Sequence, residues 1–301
     1  MKKLSRSSII INGTITPVNT NYYMEKGFLI ADSLFQPKEL EEISEEVIEI
    51  FRGNRGRIEG IKKQPENASD EKILRQYNAI HFPHKISPVI LRYVRHTRIA
   101  RILKTIVSSN VKCMQSMFFV KGPGKPGQSW HQDEFYIPTR DRSLTGVWIA
   151  LDDATIDNGC LWVIPGSQRD GIVRRILPFE NQEYREQFAC DLSPYIDEDA
   201  LPVQITRGSV IFFNGYLLHR SLKNKTEDRY RRALVAHYMS AESMLPWNWD
   251  GRIELKEDMR DIVMISGKDP YAYKGIDNIT YPYLRSEDKS YTDQAPRTKK
   301  K

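Results

Sequence analysis

The chain has 301 residues, of which 40% are hydrophobic and 28% charged, and its formal net charge is +6. This composition provides enough apolar side chains for a core, and the length allows one large domain or two ordinary ones. No stretch of about 18 apolar residues occurs, which excludes a membrane-spanning helix and favours a soluble protein. The start lacks the apolar segment of a signal peptide, and three widely spaced cysteines are typical of a reducing compartment, so we expect a cytoplasmic protein.

The positive charge raises the question of a nucleic-acid partner. Part of the excess lies at the two ends, in Lys2-Lys3 and residues 297–301, and acidic residues are scattered among basic ones elsewhere. A mildly basic, solvated surface accounts for this balance, so we do not expect nucleic acid as a partner.

The first third of the chain is mainly helical in pattern. Residues 27–31 indicate a short strand, and a helix begins at Pro37 and continues with apolar residues at helical spacing to about Gly53. Residues 53–70 are polar and indicate a loop. A second helical region begins near Ser87-Pro88 and continues after a break at His96-Thr97.

From Val111 the pattern changes to short strands separated by turns. The first strand candidate, Val111–Val120, ends at the glycine- and proline-rich turn Gly122–Gly127. Further candidates are residues 129–137, 144–151, 159–164, 203–213, 217–222 and 232–239. Helices followed by many short strands predict an α+β fold, mainly β, in which helices pack on one sheet of a sandwich or barrel.

Two side chains after the turn are candidate metal ligands. Residues two apart on a strand point to the same face, so His131 and Asp133 can bind one ion. The pattern His-x-Asp is common by chance, but its position after a turn is where functional side chains often lie.

His219 is the candidate for a third ligand, because it follows a strongly apolar strand and a turn. Taken alone, a histidine in this setting is more often a hydrogen-bonded core residue. Two histidines and one carboxylate form the facial arrangement that leaves three positions of a non-haem iron open for a keto acid and dioxygen. Zinc hydrolases use similar ligands, so these residues leave the identity of the metal open.

Arg231, twelve positions after His219, is the candidate anchor for an anionic cosubstrate. The distal carboxylate of 2-oxoglutarate needs a fixed cation with two donors, which arginine provides better than lysine. Ala233 on the same strand face leaves room for the keto acid. The alternative is a solvated arginine in a basic cluster with Arg229 and Arg232.

Three segments together resemble the phytanoyl-CoA dioxygenase (PhyH) family. They are His131-Gln-Asp133, the stretch from Trp148 to Ser167 with its Asn-Gly-Cys-Leu and Pro-Gly-Ser, and His219-Arg-Ser221 with the following Arg231. The resemblance covers about residues 20–240. It implies a double-stranded β-helix (a jelly-roll or cupin-like barrel), iron(II), and 2-oxoglutarate and dioxygen as cosubstrates. It also implies a dioxygenase that hydroxylates, or otherwise oxidises, a C–H bond of a small molecule and releases succinate and CO2.

The positions that match the family's motifs imply a complete site. Iron is expected on His131, Asp133 and His219, the far carboxylate of the keto acid on Arg231 and Ser221, and the pocket wall at Gln115, Met117 and Trp148. The spacing from His219 to Arg231 is one residue longer than the family's, which keeps Arg229 as an alternative anchor. Family members that halogenate leave the carboxylate position vacant, whereas Asp133 fills it here, so hydroxylation or a related oxidation is favoured.

We expect one oxygenase domain over residues 1–285 and a basic, disordered tail at 286–301. The domain is divided into a helical part at about 33–107, a barrel core at about 111–240 and a C-terminal extension at 241–285. His81 and His84 are assigned to a solvated loop, with the substrate entrance as the alternative. No role is assigned to the C-terminal tyrosines, which are Tyr271, Tyr273, Tyr281 and Tyr283.

Two other functions stay open at this point. One is a non-catalytic or sensor barrel that binds a small acid, and the other is a barrel oxygenase that acts on nucleic acid. The sequence does not identify the substrate, including whether it is a CoA thioester, or the oligomeric state.

Overall fold

The computed structural model describes residues 4–62, 64–65, 67–246 and 258–286. Within them the helices are α1 (Pro17–Lys26), α2 (Pro37–Phe51), α3 (Asp70–Arg75), α4 (Pro88–Val94), α5 (Thr97–Ile106) and the short α6 (Asp133–Tyr136). Capping explains several of the boundaries: α1, α2 and α4 begin with proline, and the Ser87 side chain accepts from the backbone N–H of Ile90 at the start of α4.

The strands follow the same order along the chain. They are β1 (Ile9–Ile10), β2 (Phe28–Ala31), β3 (Tyr77–His81), β4 (Val111–Lys121), β5 (Gln128–His131), β6 (Thr145–Ala150), β7 (Leu161–Val163), β8 (Ile176–Pro178), β9 (Phe188–Cys190), β10 (Leu201–Val203), β11 (Val210–Asn214), β12 (His219–Ser221), β13 (Arg231–Ser240), β14 (Val263–Ser266) and β15 (Tyr283–Ser286).

Two sheets form the centre of the fold. The major sheet has the order β1-β2-β11-β6-β13-β4-β3-β15, with β14 also paired to β4, and the minor sheet has the order β10-β7-β12-β5. Strands β8 and β9 form a separate pair. Chain-distant strands are therefore neighbours, as in a jelly roll.

The two faces of the major sheet have different partners, because successive side chains of a strand alternate between them. On β13, Leu234 and Ala236 belong to a core cluster that contains the apolar residues of α2, α4 and α5. Ala233 and Val235 belong to a second cluster, which contains Leu161 and other residues of the minor sheet. The helices thus cover the outer face, and the inner face packs against the minor sheet.

This architecture confirms the expected α+β fold with a jelly-roll core and helices on one sheet. The strand at 28–31, the helix that begins at Pro37, and the break between α4 and α5 at His96 are all confirmed. Two strand predictions were wrong in part: residues 203–213 are divided between β10 and β11 by a turn, and the strand predicted at 129–137 ends at His131.

Several elements were not predicted, namely α1, α3, β1, β3, β8, β9, β14 and β15. Most of these strands are short or lie near a sheet edge, where the alternation of apolar and polar residues is weak. Apart from Ser286, the predicted tail at 286–301 lies outside the described residues. Among the described helices, none combines the length and apolar character needed to cross a bilayer.

Candidate active site

Two neighbouring strands of the minor sheet bring the candidate histidines together. Strands β5 and β12 are antiparallel, and His131 is the direct partner of His219 in their register. The two ring centroids are 4.0 Å apart. Both side chains are buried, with 6% exposure for His131 and 4% for His219.

Asp133 joins them through a turn and not through the strand alternation that was expected. Strand β5 ends at His131, and α6 begins at Asp133. The side chain of Gln132, fully buried, holds this turn: its amide donates to the carbonyl of Tyr216 at 2.7 Å and accepts from the N–H of Arg174 at 2.8 Å. That His131 and Asp133 can bind one ion stays a prediction, but the strand alternation given as its reason was wrong, because Asp133 lies on α6 and not on β5.

The three side chains have the geometry and tautomers of a metal site. Asp133 Oδ1 is 3.9 Å from His131 Nε2 and 3.7 Å from His219 Nε2, and the ligand atoms all lie within 4.8 Å of one another. The Nδ1 of His131 lies 2.7 Å from the carbonyl of Ser129, and that of His219 lies 2.9 Å from the carbonyl of Leu217. Because a carbonyl only accepts, each Nδ1 must donate, which leaves both Nε2 lone pairs free for a metal.

The electrostatic setting favours the protonation states that ligands need. Burial, with the neighbouring His219, lowers the pKa of His131 to about 3, so its imidazole is neutral. Burial alone would raise the pKa of Asp133, but the imidazoles of His237 and His219 outweigh it, and this pKa lies below its usual value. A neutral imidazole and a carboxylate fit a divalent ion such as iron(II).

His237 on β13 contacts the other oxygen of the aspartate. Its Nε2 lies 3.0 Å from Asp133 Oδ2, and its side chain is 3% exposed. With Oδ2 held in this way, Oδ1 faces the two histidines. His237 lies six residues after Arg231 on β13, so strand alternation places both side chains on the same face.

Arg231, the first residue of β13, lies inside the fold. It is 5% exposed, its guanidinium carbon is 5.5 Å from the centre of the Trp148 ring, and its Nε has no hydrogen-bond partner among the described residues. Burial lowers the pKa of Arg231 to about 10, so it remains charged at neutral pH. Arg229, by contrast, has a side chain that is 51% exposed and lies 3.7 Å from Asp157.

The predicted wall residues share the inner face with Arg231. Trp148 on β6 and Met117 on β4 are both direct partners of Val235 on β13, and Gln115 on β4 is the partner of His237. All three wall residues are buried. The register therefore places Met117 and Trp148 between the levels of Arg231 and His237 on β13, and Gln115 at the level of His237.

A cleft lies beside Arg231. Ser221 lies in it, on the strand face it shares with His219, and accepts a hydrogen bond from Lys121 at 2.8 Å. Sequence reasoning missed Lys121, since a lysine at a strand end beside a glycine turn usually lies on the surface. The described lining consists of Asn78, Phe119, Val120, Lys121, Lys125, Pro126, Gly127, Gln128, Arg185, Glu186, Ser221 and Arg231.

The solvated loop predicted for His81 and His84 was wrong. His81 lies on β3, beside β4, and stacks on Tyr283 with ring centroids 4.5 Å apart. His84 is buried with its Nδ1 at 2.6 Å from Ser116 Oγ. Both are interior because β3 joins the major sheet.

The remaining C-terminal tyrosines have separate settings. The Tyr271 hydroxyl donates to the carbonyl of Glu242 at 2.9 Å, and that of Tyr281 donates to Glu59 at 3.0 Å. Tyr273 is 81% exposed. Of the four tyrosines, only Tyr283 stacks on a histidine of the major sheet.

Two histidines and one aspartate grouped at the minor sheet of a jelly-roll fold fit the facial metal site of non-haem iron dioxygenases that use 2-oxoglutarate, and the family match decides between these enzymes and zinc hydrolases with similar ligands. The family model described as phytanoyl-CoA dioxygenase (PhyH) matches residues 23–233, more than half of the chain. The chain therefore belongs to the phytanoyl-CoA dioxygenase family. The resemblance of the motifs is confirmed over nearly the extent expected.

Curated relatives match over most of their length. A phytanoyl-CoA dioxygenase of Arabidopsis thaliana is 26% identical, covering 83% of this chain and 98% of the relative. A phytanoyl-CoA dioxygenase domain-containing protein 1 of Danio rerio is also 26% identical, covering 78% of this chain and 94% of the relative.

Solved structures share the fold at lower identity. The non-heme alpha ketoglutarate dependent carbocyclase SnoK from nogalamycin biosynthesis superposes with a TM-score of 0.62 at 18% identity, covering 84% of this chain and 97% of its own. The non-heme monooxygenase ThoJ gives a TM-score of 0.63 at 15% identity, covering 90% of this chain and 89% of its own.

Proposed function

We propose that this protein hydroxylates, or otherwise oxidises, a C–H bond of a small-molecule substrate, with iron(II) held by His131, Asp133 and His219. The observation that carries the proposal is the grouping of the three side chains: their ligand atoms all lie within 4.8 Å of one another, and Asp133 Oδ1 is 3.9 Å and 3.7 Å from the Nε2 atoms of His131 and His219. When bound, iron(II), 2-oxoglutarate and dioxygen would supply the oxidising chemistry: the keto acid would lose CO2 and gain one oxygen atom to give succinate, and the second oxygen atom would oxidise the substrate.

The protein's own residues orient the cosubstrate and exclude water. Arg231 is buried, and its Nε has no partner in the part of the chain that the structure describes, so it is suited to the distal carboxylate; Ser221 adds a hydroxyl in the same cleft. Gln115, Met117 and Trp148, buried on the inner face of the major sheet at the levels of Val235 and His237, would form the wall of the keto-acid site. A buried arginine costs stability unless an anion pairs with it, which supports Arg231 over the exposed Arg229 as the anchor.

We also propose that residues 1–285 form a single domain and that the protein is cytoplasmic. Strands β14 and β15, from the C-terminal extension, pair within the same sheet as β1 and β2 from the N-terminal region, which supports a single domain over 1–285. The three cysteines are buried free thiols, which supports a reducing compartment. We propose a small-molecule substrate and no nucleic-acid partner.

The first experiment tests the metal ligands. Anaerobic titration of the apoprotein with iron(II) is expected to give one ion per chain, and His131→Ala, Asp133→Ala or His219→Ala is expected to abolish turnover and to weaken binding. A matched control is His84→Ala, which removes a buried histidine elsewhere in the fold. Full metal content and activity in the His219 variant would show that the third ligand is misassigned.

The second experiment tests the cosubstrate anchor and the rival functions. Arg231→Ala should weaken 2-oxoglutarate binding by about 10- to 100-fold, since a charged hydrogen bond contributes about 1.5–3 kcal/mol, while iron affinity stays near the wild-type value. Arg229→Ala is the control and should change neither affinity.

A screen of metabolites for succinate release distinguishes an enzyme from a sensor barrel, and a measurement of salt-dependent DNA binding tests for a nucleic-acid substrate.

A further inference from the structure

Lys121 and Arg231 are two buried cations that face each other across one pair of strands. Lys121 is the last residue of β4, Arg231 is the first of β13, and they are direct partners in the register. Their exposures are 7% and 5%, and both line the same cleft. Like charges in directly opposite positions repel, and burial strengthens the repulsion, so this pair is unfavourable without an anion between them.

The hydrogen bonds of Lys121 determine what the Ser221 hydroxyl can do. The Lys121 amine donates to Ser221 Oγ at 2.8 Å and to the carbonyl of Leu222 at 2.7 Å. An ammonium group has three donors and no acceptor. Ser221 Oγ is therefore the acceptor in its contact with Lys121, which leaves the hydroxyl hydrogen for another partner in the cleft.

The charge of the cleft is matched to an anion. Its described lining contains the cationic side chains of Lys121, Lys125, Arg185 and Arg231, against the single carboxylate of Glu186. Burial lowers the pKa of Lys121 well below its usual value, and the neighbouring Arg231 and Arg185 lower it further, while Glu186 and Cys160 act in the opposite direction. A carboxylate bound beside both cations would offset this cost.

We propose that Lys121 is a positioning and specificity residue of the keto-acid site, which directs the Ser221 hydroxyl to the distal carboxylate and makes the site selective for dicarboxylic keto acids. This inference rests on the proposed function, because it takes the cleft at Arg231 as the 2-oxoglutarate site. The competing explanation is purely structural: Lys121 joins the end of β4 to the end of β12.

The test compares two keto acids that differ only at the far end. Binding of 2-oxoglutarate and of 2-oxovalerate, which lacks the distal carboxylate, is measured by calorimetry on protein loaded with manganese(II). Lys121→Met should weaken 2-oxoglutarate binding by about 10- to 100-fold and leave 2-oxovalerate binding nearly unchanged. Lys225→Met is the control, because the Lys225 side chain is 62% exposed and does not line the cleft, and it should change the binding of neither keto acid.

Two further variants separate positioning from charge and guard against misfolding. Lys121→Gln retains a donor near Ser221 without the charge and should give an intermediate loss; it also replaces the methionine variant if thermal unfolding shows that variant to be misfolded. In a cycle with Ser221→Ala, the two losses should be non-additive, because Lys121 acts partly through Ser221.

The outcomes distinguish this inference from the proposed function. Equal losses for both keto acids, or no loss for either, would overturn the role of Lys121 and favour the structural explanation. Arg231→Met is measured in parallel. If it reduces 2-oxoglutarate binding selectively while Lys121→Met does not, only the inference fails; if neither variant changes the selectivity, the cleft is not the cosubstrate site and the proposed anchor fails as well.

Discussion

Replacing His237 by leucine tests how the metal site is held in shape. The Nε2 of His237 lies 3.0 Å from Asp133 Oδ2, and both groups are buried, so the variant leaves a carboxylate oxygen without its donor. A hydrogen bond to a charged group contributes about 1.5–3 kcal/mol, and partners that orient metal ligands typically affect metal affinity by about 10- to 100-fold. We expect His237→Leu to weaken metal binding by this factor.

The assay is a competition titration of iron(II) or cobalt(II) against a chelator, without oxygen. His237→Gln should recover much of the affinity, since its amide can still donate to Asp133. Leu234→Ala is the control: it truncates a buried side chain of the same strand on the helix-covered face, so it should lower stability and leave metal affinity unchanged. The reasoning fails if His237→Leu binds metal as tightly as the wild type, or if Leu234→Ala weakens binding to the same degree.

Two further predictions concern pH and reaction outcome. Burial, together with the charge of Lys85, lowers the pKa of His84 to about 3. Below pH 6.5 the unfolded state therefore binds a proton at this histidine that the folded state does not bind. The free energy of unfolding then falls by up to about 1.4 kcal/mol per pH unit as the pH decreases. Urea unfolding of wild type and His84→Asn between pH 7 and 4 should therefore show a shallower loss in the variant, and parallel curves would refute this. In chloride-rich buffer the product should carry hydroxyl and no chlorine, because Asp133 occupies the carboxylate position; mass spectrometry of a chlorinated product would contradict this.

The sequence predicts the chemistry of the site better than its local structure. Residue type, position after turns and the resemblance to the family's motifs point to His131, Asp133 and His219, and the structure brings these three side chains together. The turn that brings Asp133 to the histidines depends on Gln132, whose partners Arg174 and Tyr216 lie 42 and 84 residues further along the chain. Short-range patterns do not contain such contacts.

The same limit explains the residues that were missed or misassigned. The sequence around His84 is typical of a loop. In the fold, the pairing of β3 with β4 brings His84 into contact with Ser116, 32 residues away. The sequence around Lys121 is typical of a surface lysine, but in the fold its amine donates to Ser221 on β12. Burial of a polar side chain is decided by tertiary neighbours, and a single sequence contains no record of them.

The pairing of β13 with β4 also has a consequence for biosynthesis. His237 and Asp133 are 104 residues apart, and Lys121 and Ser221 are 100 apart. A nascent chain that has emerged only as far as Ser221 contains all three candidate ligands but lacks both His237 and Arg231. Non-local strand pairs form slowly, so we expect iron to bind productively only after translation is complete and β13 has paired with β4. A redox-active ion would then not be bound by the incompletely synthesised chain.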